Sequence, residues 1–268
     1  MSDTGGPPPF PASPDELHAP PSWRCIDFIS DLHLHEGRPR TFEAFANYLR
    51  LTSADAVFIL GDLFEAWVGD DMRHQPFEAQ CAEVLAAVGQ RLSLHLMVGN
   101  RDFLLGPDMS AACHARWLDD PTVLHAFGER HVLTHGDAWC LADTDYLAFR
   151  CKVRNPAWQA VFLTQPFAQR MKIAQAMREA SAGVKLHMLH KDWADVDPDT
   201  AALSLTQLGA TRLVHGHTHH PASEAFALPG VERHVLSDWE LDEHPARAEV
   251  LRLTQHGYAR LPLPLEAY

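Results

Sequence analysis

Between Cys25 and Leu261, short apolar runs alternate with longer amphipathic stretches, and five of the runs break off into a polar cluster. Cys25–Ser30 stops at Asp31-Leu32-His33, and Ala54–Leu60 stops at Gly61-Asp62. Leu92–Val98 ends in Gly99-Asn100-Arg101-Asp102, His131–Thr134 in His135-Gly136-Asp137, and Leu213–His215 in Gly216-His217-Thr218-His219. Runs this short and rich in Val, Ile, Leu and Phe predict buried strands. Phe42–Leu51 and Phe77–Val88 carry helical patterns between them, and Val231–Leu236, Arg247–Leu253 and Tyr258–Leu261 predict further strands. Alternating strands and helices predict an α/β fold, whose ligands gather beyond the carboxyl ends of the strands. All five polar clusters fall there.

Two segments depart from this rhythm. Residues 1–21 hold 7 of the 19 prolines and predict a disordered leader. Residues 146 to about 191 read as helices, with eight Lys or Arg (150, 152, 154, 170, 172, 178, 185 and 191) against one acid, Glu179. In a chain of formal net charge −13, such a block reads either as a site for an anion or as a solvated helix surface. The organisation expected is a leader over 1–21, a core over 22–145 and 196–268, and a helical insertion over 146–195.

The acidic balance argues against a general nucleic-acid binder. Cys25, Cys81, Cys113, Cys140 and Cys151 form no C-x-x-C pair, so reduced thiols of a cytosolic protein are expected. No apolar run approaches the roughly 20 residues that span a bilayer, and the proline-rich start does not read as a secretory signal. Histidine, at 18 residues, is the unusual count.

Together the clusters offer two carboxylates (Asp31, Asp62), one amide (Asn100) and four imidazoles (His33, His135, His217, His219) on one rim. Taken singly, each has an ordinary explanation: Asp62 as a helix cap, His135 as a structural histidine. Their recurrence after five strands points to metal. In D-x-H and H-x-H the two side chains leave an extended backbone on the same side, so each pair is expected to grip one ion. Mixed oxygen and nitrogen donors suit Mn, Fe, Zn or similar divalent ions. Seven ligands exceed what one ion takes, and two ions sharing Asp62 are the machinery for in-line displacement at phosphorus. His95 reads as a core residue, and His215 and His220 as neighbours of the ligand pair or surface groups.

The series D-x-H, G-D, G-N, H-G-D, G-H-x-H resembles that of the calcineurin-like metallophosphoesterases. Within them, Gly61-Asp-Leu-Phe-Glu-Ala-Trp-Val-Gly-Asp-Asp71, Gly99-Asn-Arg-Asp-Phe-Leu-Leu-Gly106, His135-Gly-Asp with Asp143 and Tyr146, and His215-Gly-His-Thr-His219 are similar to the UDP-2,3-diacylglucosamine hydrolases. The resemblance implies a four-layer αββα sandwich with a helical cap. It implies two divalent ions, Mn2+ foremost, one held by Asp31, His33, Asp62 and His219 and the other by Asp62, Asn100, His135 and His217. The implied reaction splits the pyrophosphate of a UDP-linked diacylated glucosamine in lipid A synthesis, at the cytoplasmic face of an anionic inner membrane.

The same resemblance puts Asp62, Asn100, Arg101 and His135 in the catalytic machinery. It puts Asn100, Arg101, Asp143, Tyr146, Arg178, Ser181, Lys185 and His217 against the substrate. Arg101 stands where many relatives carry a histidine. It cannot give up a proton at working pH but can clamp phosphate oxygens, which fits a leaving group that is itself a phosphate. The apolar faces of Trp158, Val161, Phe162, Leu163, Phe167, Met171 and Ile173 are expected to line an acyl chamber. Rival readings are a phosphoesterase for a water-soluble phosphodiester or nucleic acid, and a metal-binding scaffold without catalysis.

Overall fold

The pleat of each buried strand divides its apolar residues between two layers. This is visible in a computed structural model that describes residues 14–185 and 194–264, excepting the side chains of 178–185. One sheet has the order β1 (Asp15–His18), β6 (Thr122–Ala126), β7 (Glu129–Thr134), β8 (Arg212–His215), β10 (Glu232–Val235) and β9 (Ala222–Ala225). The other has β12 (Gly257–Pro262), β11 (Glu249–Thr254), β2 (Cys25–Ile29), β3 (Ala56–Leu60), β4 (Ser93–Met97) and β5 (Ala115–Trp117). Ile26, Phe28, Phe58 and Leu60 face the space between the sheets and meet Leu124, Leu133 and Val214 there. Val57 and Ile59, at the alternate positions, face a helical layer with Phe45, Leu49 and Leu85.

Those outer residues belong to α1 (Pro39–Leu51) and α2 (Pro76–Gly89), each started by a proline in its first turn. α3 (Pro107–Ala112) joins them. On the far side, Val123, Val132 and Leu213 pack against Ala201 and Leu205 of α7 (Pro198–Leu208). Helix, sheet, sheet, helix is the four-layer sandwich expected. β2, β3 and β4 are mutually parallel, as are β7 and β8, and the loops after these strands carry the five polar clusters.

Asp15–His18, expected within the disordered leader, form a strand instead. Asp15–His18 pairs parallel with β6 as an edge strand, and Leu17 is buried between the sheets. A four-residue strand of mixed polarity has too short a pattern to stand out from proline-rich surroundings.

The insertion forms α4 (Thr144–Val153), α5 (Pro156–Leu163) and α6 (Phe167–Lys185). Its apolar stripe divides. Phe162 is buried in the main core with Trp158 stacked on it at 4.9 Å, while Val161 and Leu163 stay exposed. Three of its cations turn inward rather than outward. Arg150 Nε donates to Asp137 at 2.9 Å, Arg154 Nη2 donates to the Gly99 carbonyl at 2.8 Å, and Arg170 forks onto Asp71. No helix among the described residues is long and apolar enough to cross a membrane.

Candidate metal centre

The two D-x-H and H-x-H pairs do not sit on extended backbone. Asp31, His33, Asp62, His217 and His219 all adopt positive φ, between 48° and 66°. A non-glycine residue reaches this left-handed region only at a cost, and such strain gathers at functional sites. The chain therefore turns sharply at each strand end and aims these side chains at one point. The neighbouring glycines make room for them. A Cβ on Gly99 would collide with the Asp62 carboxylate, and one on Gly216 with that of Asp31.

The seven side chains converge as the sequence anticipated. Among the described residues, Asp31, His33 and His219 present donor atoms within 4.8 Å of one another, and so do Asp31, Asp62 and His135. Asn100 links the rest, with its amide oxygen 2.9 Å from His135 Nε2 and 2.8 Å from His217 Nδ1. His33 Nε2 and His219 Nε2 are 3.4 Å apart. His135 Nδ1 lies 2.9 Å from the Leu60 carbonyl, which can only accept, so Nδ1 carries a hydrogen and Nε2 is the ring atom turned toward the Asn100 oxygen. An amide oxygen and two imidazole nitrogens brought together in one buried space are a ready donor set for a cation. The donor set fits divalent metal.

The charges agree. Burial opposes protonation of His135, but the carboxylates of Asp62, Asp31 and Asp137 outweigh it and raise its pKa to about 9. His33 is raised as well, against its burial, by its contact with Glu65 and by the charge of Asp62. Asp31, despite burial, is held well below the carboxylate range by His219, His135 and His33. His217 goes the other way, to about 3, through burial and the charge of His135.

Several neighbours that fix this geometry have no obvious sequence signal. Glu65 Oε2 is 3.1 Å from His33 Nδ1, and Asp238 Oδ2 is 3.4 Å from His219 Nδ1. Carboxylates behind the far ring nitrogen orient an imidazole for metal. Asp102 is buried and accepts the backbone N–H groups of Leu63 at 2.8 Å and Gly99 at 2.8 Å, tying the Asp62 loop to the Asn100 loop. Burial and the charge of Asp62 lift its pKa to about 6. Asp137, present in the H-G-D motif, receives both Arg150 and the Tyr146 hydroxyl.

Arg101 lies beside the site. Its backbone N–H donates to Asp62 Oδ1 at 2.8 Å, and its guanidinium is 3.8 Å from Glu65. Asp102, its neighbour in sequence, and Asp71 are both engaged elsewhere. Tyr146 stands with its ring 5.9 Å from that of His217, and Asp143 caps α4 by accepting the Tyr146 N–H at 3.0 Å. Arg178, Ser181 and Lys185 fall on the backbone of α6, their side chains outside the described residues, as are His187 and His190 entirely. His95 is a core residue stacked on Phe58 at 4.2 Å. His215 is buried, with Nδ1 2.8 Å from the Gly216 carbonyl.

The calcineurin-like phosphoesterase family matches residues 26–221. A protein of Cellvibrio japonicus (strain Ueda107) called UDP-2,3-diacylglucosamine hydrolase is 42% identical over 217 residues, spanning 79% of this chain and 90% of that protein. One of the same name from Xanthomonas campestris pv. campestris is 40% identical over 248 residues, spanning 89% of this chain and 98% of its own. The family match spans all five clusters. The chain belongs to the calcineurin-like phosphoesterases, metal-dependent hydrolases, and within them to the group that these curated relatives define.

Proposed function

We propose that this protein hydrolyses the pyrophosphate bond of UDP-2,3-diacylglucosamine, releasing UMP and 2,3-diacylglucosamine 1-phosphate in lipid A synthesis. The observation that carries the reading is the convergence of Asp31, His33, Asp62, Asn100, His135, His217 and His219 beneath an insertion bonded to the same loops. The substrate comes from the names of the relatives. Asp31, His33, Asp62 and His219 would hold one divalent ion and Asp62, Asn100, His135 and His217 a second, with Mn2+ suited to the mixed donors. When bound, such ions lower the pKa of water and neutralise charge on phosphate oxygens.

The remaining work falls to the chain's own side chains. Arg101 offers a planar guanidinium fork that matches two phosphate oxygens. Held through its backbone to Asp62, it clamps the departing lipid phosphate, a leaving group that needs no strong acid. Asn100 and His217 would reach the reacting phosphate. Tyr146 and Asp143 flank it, and Arg178, Ser181 and Lys185 follow on α6 toward the sugar and lipid. Asp102 and Glu65 hold these groups in place.

The exposed Lys152 and Lys172 remain free to face an anionic membrane, since Arg150, Arg154 and Arg170 are spent on the core. This supports loose attachment to the cytoplasmic face of the inner membrane. The test is turnover of detergent-dispersed UDP-2,3-diacylglucosamine with Mn2+, beside cyclic nucleotides and DNA. Cleavage of the lipid nucleotide alone is expected. Preference for a soluble diester or a nucleic acid would overturn the substrate.

A further inference from the structure

A second cluster of metal-binding side chains lies on the opposite end of the first sheet. His18 on β1 and His125 on β6 are register partners in a parallel pair, so their side chains leave adjacent strands on one face. Glu16, two residues before His18, shares that face. The two imidazole rings stack at 4.1 Å. His125 Nε2 is 3.2 Å and His18 Nε2 3.9 Å from Glu16 Oε2. One donor atom from each of the three lies within 4.8 Å of the others.

The surroundings favour an ion here. Arg130 on β7, the register partner of His125, donates to Glu16 Oε1 at 3.0 Å. That contact fixes the carboxylate and leaves Oε2, the oxygen nearest both rings, for an ion. Glu16 and His18 are exposed and His125 half-buried, so the two imidazoles adjust at little cost and solvent completes the coordination. β7 runs antiparallel to β6, and its far end carries His135. His135 lies five residues beyond Arg130, roughly 17 Å along the strand, so this cluster is separate from the catalytic rim.

We propose that Glu16, His18 and His125 form a surface site for a borderline divalent ion, Zn2+, Ni2+ or Cu2+, which clamps the edge strand β1 to β6. Two imidazoles and one carboxylate select these ions over Mg2+ and Ca2+, which prefer all-oxygen sites. β1 is a short edge strand that such a clamp would hold in place. It has four residues, a single sheet neighbour and only Leu17 buried between the sheets.

The test uses the full chain saturated with Zn2+ and dialysed against micromolar Zn2+ at pH 7.5. Bound metal is counted in the native protein and in the separate variants His18→Ala and His125→Ala, each checked for an unchanged Tm in EDTA. The native protein is expected to hold one more equivalent than either variant. Its Tm is expected to rise on adding Zn2+ by several degrees more than theirs. Hydrolysis of bis(p-nitrophenyl) phosphate should stay within twofold in all three, because none of these residues belongs to the catalytic rim. Equal metal content in the native and variant proteins would overturn the site. A full extra equivalent with an identical Zn2+-dependent rise in Tm would overturn its role as a clamp.

Discussion

Arg170 and Asp71 bind the helical insertion to the loop that carries Asp62. Arg170, buried on α6, places Nη1 and Nη2 on the Asp71 carboxylate and also donates to the carbonyls of Val68 and Gln165. The contact holds Asp71 below the ordinary carboxylate range, chiefly through its hydrogen bond with Arg170. Gly69 fits beneath this fork at φ 128°, and a Cβ there would collide with the guanidinium.

Loosening this pair should separate the lipid substrate from a minimal one. Arg170→Lys keeps the charge but loses the fork. A fall of about tenfold in kcat/KM for UDP-2,3-diacylglucosamine is expected, the size of one hydrogen bond to a charged group. Hydrolysis of bis(p-nitrophenyl) phosphate, which needs only the rim, should change less than twofold. Equal losses on both substrates would show that the pair supports the metal loop itself and not the position of the insertion.

Asp62 is the ligand expected to matter most, because it alone belongs to both proposed ligand sets. Asp62→Ala should lose both ions and nearly all activity while keeping its circular dichroism spectrum. Metal analysis decides this: two full equivalents retained would remove Asp62 from its bridging place.

The buried histidines away from the rim should make the fold acid-sensitive. His95 lies stacked on Phe58 with neither ring nitrogen hydrogen-bonded, and burial followed by the charge of Arg116 lowers its pKa from 6.5 to about 3. The unfolded chain takes up a proton as pH falls through 6.5, and the folded one does so only near 3. The neutral histidine's contribution is therefore complete above the unfolded value and is lost between the two. At pH 5 the loss is about 2 kcal/mol. Replacing His95 by Phe, which keeps the stack, should flatten the fall in Tm between pH 7.5 and pH 5 by roughly 4–8 °C. A fall as steep as that of the native protein would mean that His95 is already solvated.

Membrane attachment through charge should rest on the outward lysines of the insertion. Lys152→Glu with Lys172→Glu should weaken binding to anionic vesicles by at least about tenfold, with each exposed lysine contributing about 1 kcal/mol. Turnover in detergent should be nearly unaffected. Vesicle binding that ignores both salt and this change would leave only apolar contacts to account for it.

The parts of the fold visible in the sequence are those set by repetition and by short spacing. Val57, Phe58, Ile59 and Leu60 form a run that only a strand buried on both faces accommodates, and five such runs with polar ends outlined the metal rim. The local geometry was not visible. Asp31 and His33 were expected on extended backbone, whereas both lie in the left-handed region; no short motif distinguishes those two conformations. Glu65 and Asp238 sit behind His33 and His219 through tertiary contact alone, with Asp238 nineteen residues beyond the histidine it supports. Arg154 reads as an outward cation on a helix, yet it reaches the Gly99 carbonyl because α4 lies against the Asn100 loop. Charge counts give the sign of a surface but not its direction.

The most direct test of the central claim is to hydrolyse UDP-2,3-diacylglucosamine in 18O-water with Mn2+ and locate the label. Water is expected to attack the phosphorus nearer uridine, with Arg101 on the departing lipid phosphate, so UMP should carry one 18O and the 2,3-diacylglucosamine 1-phosphate none. Label in the lipid phosphate would reverse the orientation of the substrate over the rim. No turnover of this substrate by a protein that still cleaves bis(p-nitrophenyl) phosphate would contradict the assignment of the reaction.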